Sequence, residues 1–145
     1  MISQTSAKRD ECGAVAAELA VVITVLILML GMVIAGGRLW FARTTVVEAA
    51  QTAARAASLE RSAGRALAAG REAGARSMAT AGLDCASSTI SVDTAAFGVP
   101  VGVPGAISAT VRCTVRLGDL GLPLIPGSTH LSGHASTALD TYRGR

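Results

Sequence analysis

The chain carries a long uncharged apolar segment near its N-terminus. Leu19 to Gly37 is a stretch of 19 residues without a charge, and Ala14 to Gly37 gives 24 residues in which Glu18 is the only charged one. In a helix, about 20 apolar residues span a bilayer core of roughly 30 Å. This pattern predicts a transmembrane helix over residues 14–37, preceded by a short polar leader or disordered tail over residues 1–13.

Helix-forming composition continues after the apolar segment. Residues 38–81 contain no proline and are rich in alanine, the residue with the highest helix propensity. The composition predicts an Ala-rich helix over this range. Gly64, Gly70 and Gly74 weaken its far end, so a kink or stop is expected between residues 62 and 82.

Past Gly82 the pattern changes to alternation with a period of two. Residues 107–117 alternate apolar and polar side chains over 11 positions, which indicates a half-buried strand. Weaker alternation predicts further strands over residues 89–95 and 129–139. The expected fold class is therefore an α+β membrane protein. Its long N-terminal transmembrane helix continues into an Ala-rich helix, and a small antiparallel β-sheet domain follows over residues 82–145.

Composition limits what this domain can do. The chain has 145 residues, of which 3% are aromatic, so the core outside the membrane is thin. This argues against a free-standing soluble enzyme. The 13 basic residues exceed the 10 acidic ones only slightly, and aromatic residues for base stacking are scarce. A nucleic-acid partner is not expected, whereas arginines close to the span are suited to lipid headgroups.

Candidate catalytic chemistry is scarce. His130 and His134 lie four residues apart, which on a strand places them on the same face. No cysteine lies on that face, and Asp140 is the only nearby carboxylate, so two exposed sheet histidines are expected rather than a metal site. We predict no catalytic residues, no metal and no cofactor.

The cysteines indicate the compartment. Cys12 precedes the apolar segment, and Cys85 and Cys113 follow it. A cysteine pair in a small domain with a thin core favours a disulfide between Cys85 and Cys113, and two buried thiols are the alternative. A disulfide would place the C-terminal domain outside the cytoplasm and the N-terminus inside. The basic residues that flank the span give no decisive orientation.

Glu18 is the anomaly of the apolar segment. A carboxylate in hydrocarbon is costly, and such a residue commonly has a function with a specific partner. The nearest cations, Lys8 and Arg9, lie nine or ten residues earlier. One interpretation is that Glu18 lies at the membrane interface and the span begins at Leu19.

The stretch around Glu18 resembles a known processing signal. Gly13 followed by Ala14-Val15-Ala16-Ala17-Glu18 resembles the type IV prepilin cleavage pattern, in which a polar leader ends in glycine. The following GRLWFARTTVVEAAQTAARAAS, residues 37–58, resembles the TadE-like family of pilus-assembly pseudopilins, in which a Gly-Arg-aromatic turn follows the span. The later CTVRLGDLGLPLIPGSTHLSGHAS, residues 113–136, is similar to the strand-rich end of that family.

The resemblance implies a minor pseudopilin-like component of a Tad-type pilus or secretion apparatus, in the bacterial cytoplasmic membrane. A prepilin peptidase would cut after Gly13 and leave Ala14 as the new N-terminus. Glu18 would then pair with the N-terminal amine of a neighbouring subunit during assembly. The cut would remove Cys12 and leave Cys85 with Cys113. The implied partners are the peptidase, other pilins or pseudopilins, Tad inner-membrane assembly proteins and membrane lipid.

The chain departs from the pilin pattern at Leu19, where an aromatic residue is usual, and at Ala14, where major pilins carry a bulkier one. Two other interpretations of the segment therefore remain open. The main alternative is a membrane-anchored extracytoplasmic binding module whose anchor is never cleaved. A secretory signal cleaved after Gly36-Gly37 is a second one.

Overall fold

The computed structural model describes residues 4–100, 102–119 and 126–140, with side chains from residue 15 onward. Its elements, in chain order, are helix α1 (Gln4–Ser58), helix α2 (Ala63–Thr80), strand β1 (Ser87–Asp93), a short 3-10 helix (Ala95–Gly98), strand β2 (Gly105–Arg116) and strand β3 (Ser128–Leu139). The predicted α+β fold class, with a long apolar N-terminal helix and a small antiparallel sheet, is confirmed. The chain ends in the polar sequence DTYRGR, of which residues 141–145 lie outside the described residues.

The chain forms two compact units, residues 1–37 and residues 38–145, and helix α1 contributes to both. The first unit holds the apolar part of α1. Residues 4–13 also belong to this helix, so the segment expected to be a leader or disordered tail is helical from Gln4. No proline interrupts it, and the helix therefore extends from the apolar segment into its polar flank.

The Ala-rich part of the chain is two helices rather than one. Helix α1 ends at Ser58, whose hydroxyl donates a hydrogen bond to the carbonyl oxygen of Arg55 at 2.8 Å. Ser62 then takes an extended conformation, with φ −142° and ψ 147°, immediately before α2. The chain thus leaves the helix over residues 59–62, just before the range expected for a stop, and no glycine lies in this break.

Gly70 and Gly74 of α2 allow close packing against α1 and β1. A Cβ atom on Gly70 would lie 3.0 Å from the carbonyl oxygen of Ala53 and 2.9 Å from Cγ2 of Val92. On Gly74 it would lie 3.3 Å from Cβ of Ala53 and 3.2 Å from Cδ1 of Ile90. Because these gaps are at or below normal contact distance, the small residues let the two backbones approach closely. The sequence pattern indicated only that these glycines weaken a helix.

The sheet has the strand order β1-β2-β3, and both strand pairs are antiparallel. The alternation predicted for the central strand is observed, since every second residue from Ile107 to Val115 is buried. These side chains pack on the Ala-rich part of α1 and on α2, and the core cluster of this layer contains Ala42, Val46, Ala49, Ala50, Met78, Val111, Cys113, Val115 and Leu131. One face of the sheet is therefore covered by helices, and no described helix lies on the other, which we call the open face.

Strand β1 ends two residues earlier than the pattern predicted. The side chain of Asp93 accepts a hydrogen bond from the backbone amide of Ala95 at 2.9 Å. This local bond turns the chain away from the sheet and starts the 3-10 helix, as aspartate commonly does at turns.

The predicted disulfide between Cys85 and Cys113 is present, with a Cα–Cα distance of 5.5 Å. The alternative of two buried thiols is therefore wrong. Cys113 lies on the buried face of β2, and Cys85 lies in the connection between α2 and β1. The bond closes a loop with a sequence separation of 28 residues. In the chain-entropy model a loop of this size contributes about 3–4 kcal/mol of stability.

Candidate membrane anchor and processing segment

The apolar part of α1, residues 14–37, carries large hydrophobic side chains on all sides of the helix. Its large hydrophobic side chains are exposed, and they are Val15, Leu19, Val21, Val22, Ile23, Val25, Leu26, Ile27, Leu28, Met29, Leu30, Met32, Val33 and Ile34. A helix that is hydrophobic all round requires lipid or other helices around it. Within the described residues, α1 is the one helix long and apolar enough to cross a membrane, by length and composition. These features are consistent with a membrane anchor.

Thr24 and Glu18, two polar residues of the apolar segment, differ in the contacts that their side chains make. The hydroxyl of Thr24 donates a hydrogen bond to the carbonyl oxygen of Ala20 at 2.8 Å, so the backbone of its own helix satisfies it. Glu18 is exposed, and no cation among the described side chains lies in ion-pair contact with it.

Gly13 and Ala14 lie within the backbone of α1, and their side chains are outside the described part of the chain. The helix places the amide of Ala14 one turn before Glu18, about 6 Å away along the axis. Side chains of a helix lean toward its N-terminus, so the Glu18 carboxylate is directed toward the turn that contains Ala14. If the chain were cut before Ala14, the new N-terminal amine would lie on the same face of the helix as Glu18.

No turn follows the apolar segment. The TadE-like resemblance implied a Gly-Arg-aromatic turn near Gly37, but α1 continues through this position. The helix instead presents exposed aromatic side chains, Trp40 and Phe41, at 72% and 58% exposure. Aromatic rings and basic residues such as Arg38 and Arg43 are typical of the boundary between a membrane and water.

Comparison with protein families identifies a family model that matches most of this helix. Residues 13–55 match the family model described as TadE-like protein. The N-terminal region of the chain is TadE-like, which supports its membership of the TadE-like family. Comparison with curated proteins and with solved structures finds no match.

The TadE-like region begins at Gly13 and ends three residues before the end of α1. It covers the apolar segment, the exposed aromatic residues Trp40 and Phe41, and most of the Ala-rich part of α1. Helix α2 and the sheet lie outside it, so the expected likeness of residues 113–136 to the family stays a prediction. TadE-like proteins are Tad pilus components, and the match supports a pilus-associated component.

The two histidines lie on the same face of β3, as the sequence predicted. His130 and His134 are exposed on β3, about 13 Å apart at the usual rise of a strand. Their Nδ1 atoms form hydrogen bonds with the hydroxyls of Thr114 at 3.0 Å and Thr110 at 3.2 Å. No cluster of three or more metal-ligating side chains is found among the described residues.

Several arginines of the helices are engaged in contacts within the chain. Arg71 donates a hydrogen bond to the carbonyl oxygen of Ile90 at 3.3 Å, and Arg76 pairs with Glu72 one turn earlier. Both arginine side chains stay exposed while they make these contacts.

Proposed function

We propose that this chain is a minor pseudopilin-like component of a Tad-type pilus or secretion apparatus, processed after Gly13 and assembled through its N-terminal helix. The observation that carries this proposal is the TadE-like match, because it begins at the glycine of the prepilin-like pattern. The exposed apolar surface of α1 adds support, since it requires a lipid or helical environment that a pilus and its membrane platform would supply.

Processing and assembly are linked in this proposal. Cleavage by a prepilin peptidase would expose the amine of Ala14, and Glu18 of a neighbouring subunit would pair with that amine. A salt bridge between subunits would satisfy a carboxylate that has no ion-pair partner among the described side chains. Other pilins or pseudopilins and the Tad inner-membrane assembly proteins are the proposed partners, and lateral packing of helices in lipid joins them.

The proposed orientation places the N-terminus in the cytoplasm and the C-terminal domain outside. The disulfide Cys85–Cys113 supports this, because disulfides persist in oxidising compartments such as the bacterial periplasm and cell surface. Labelling of Cys12 with a membrane-impermeant thiol reagent tests it in uncleaved protein. Protection in intact cells and labelling after lysis support the orientation, whereas labelling of intact cells contradicts it.

The deciding experiment is N-terminal sequencing of the membrane-extracted protein, expressed with and without a prepilin peptidase. We expect a sequence starting at Ala14 only when the peptidase is present. A start at Met1 or Ile2 despite an active peptidase would favour the uncleaved binding module. A start at Arg38 would instead identify a cleaved secretory signal.

A further inference from the structure

The open face of the sheet is polar throughout. Its outward side chains on the three strands are hydroxyls, arginines and histidines, with Asp93 and the small residues Ala106 and Ala138 at one end. A groove of about 370 Å³ lies on this face. Its outward lining side chains are Ser87, Thr89, Arg112, Thr114, His130 and Ser132. Among the described residues the helices cover only the opposite face, and Arg112, His130 and Ser132 are exposed.

The strand register arranges the basic side chains of this face in a regular pattern. Facing pairs along β2 and β3 are Arg116 with Ser128, Thr114 with His130, Arg112 with Ser132, and Thr110 with His134. Each pair therefore combines one basic side chain with one hydroxyl. The basic member alternates between the two strands from one pair to the next, which produces a zigzag of Arg116, His130, Arg112 and His134. We call these four residues the basic zigzag.

The spacing of the basic zigzag follows from strand geometry. Diagonal neighbours on the same face of an antiparallel pair are about 7–8 Å apart. The four groups therefore extend over roughly 20 Å along the strands. The threonine hydroxyls hold both imidazoles by Nδ1. The Nε2 atom lies on the opposite edge of each ring, so the hydrogen bonds to threonine do not use it.

We propose that the basic zigzag binds a linear anionic polysaccharide with an acid group at regular intervals. Guanidinium groups bind carboxylates or other oxyanions by charge-assisted hydrogen bonds, and the hydroxyls between them are suited to sugar hydroxyls. Asp93, the carboxylate on this face, lies on the edge strand opposite Ser108, beyond the zigzag, and its side chain already accepts an amide hydrogen bond. The charge of the zigzag is thus complementary to a polyanion.

Composition favours a polysaccharide over the other polymers. Protein interfaces have an apolar centre enriched in aromatic residues and methionine, and the outward residues of the described strands contain neither. Single-stranded nucleic acids need aromatic platforms for stacking, which this face also lacks. The proposal rests on the sheet alone and does not depend on the pilus role.

The test uses full-length protein in mild detergent, with polygalacturonate as the probe. Dextran is the neutral control, and a single-stranded oligonucleotide of matched charge is the competing polymer. We expect saturable binding of polygalacturonate that weakens with salt, with little binding of dextran. Equal binding of dextran, or tighter binding of the oligonucleotide, would overturn the proposal.

A matched pair of double variants locates the site. Arg112→Gln with Arg116→Gln should raise the Kd severalfold, by up to about 25-fold, at up to about fivefold for each exposed ion pair. Arg55→Gln with Arg61→Gln removes the same charge from exposed positions outside the sheet, and should change the Kd less than twofold. Equal losses in both variants would show that only net charge matters and would refute the site.

The histidine arm uses His130→Gln with His134→Gln. This variant should bind polygalacturonate more weakly than the wild type, because it lacks the imidazole Nε2 atoms that the threonine hydrogen bonds leave available. Unchanged binding would show that the histidines have no part in the site. The disulfide and the circular dichroism spectrum of every variant are checked first, so that loss of folding is not mistaken for loss of binding.

Discussion

Gly133 on β3 lies against the backbone of α1. Replacing it with alanine tests how closely the sheet packs on that helix. A Cβ atom at this position would lie 2.5 Å from the carbonyl oxygen of Val46 and 2.8 Å from Cα of Val47. Both obstacles are backbone atoms, so no flexible side chain can move aside. Either the helix or the strand must shift by most of an ångström.

The expected cost follows from this geometry. Overpacking a buried site costs typically 1–3 kcal/mol, and a clash with helix backbone belongs at the upper end, so we expect about 3 kcal/mol for Gly133→Ala. That loss corresponds to about 100-fold faster exchange of protected amides, if exchange follows the opening equilibrium. The effect should be largest in peptides from β2 and β3, since Gly133 faces Val111 in the register.

The matched control is Gly64→Ala in α2. No atom lies within 4 Å of the Cβ that this substitution would add. Alanine is favoured over glycine in a helix by roughly 0.5–1 kcal/mol, so the same chemical change should here stabilise α2 slightly. Hydrogen–deuterium exchange of the full-length protein in detergent measures both variants. If Gly133→Ala slows or leaves unchanged the exchange of β2 and β3, the close packing of α1 on β3 is wrong.

Three further predictions concern other parts of the molecule. Replacing Cys85 and Cys113 together by serine should lower the free energy of unfolding by about 3 kcal/mol, measured by thermal denaturation, and addition of a reductant should lower the wild-type Tm but not that of the variant. Ile107→Ala should cost about 2–5 kcal/mol because Ile107 is fully buried in the sheet; an unchanged Tm would contradict its place in the core. Glu18→Ala should leave cleavage after Gly13 intact while reducing incorporation into pili, measured by immunoblotting of sheared filaments, and normal incorporation would refute the proposed pairing.

Much of the fold could be predicted because the relevant signals are local. The alternation over residues 107–117 is a property of consecutive side chains, and it identified β2 and its buried face correctly. The uncharged stretch from Leu19 to Gly37 predicted the apolar helix for the same reason. For the candidate site, the prepilin-like pattern drew attention to Gly13, where the TadE-like match begins. The cut itself and the role of Glu18 stay predictions.

Other features depend on residues that are distant in the sequence. The break over residues 59–62 contains no glycine or proline, and only the packing of α2 against α1 and β1 shows why the chain must turn there. The glycines of α2 lower helix propensity locally, but Gly70 and Gly74 face Ala53 across the packed helices. Propensity describes one segment in isolation, whereas close approach of two backbones is a property of the pair.

The sequence by itself determined an apolar N-terminal helix, an Ala-rich continuation, three strands and a cysteine pair, because periodicity, composition and spacing act within a segment. The tertiary structure alone decided which of these parts face each other. The pairing register placed Arg112 on β2 level with Ser132 and between the two histidines of β3, and the covering helices left that face open. A strand pattern shows which side chains share a face, but the register between strands arises only when the chain folds.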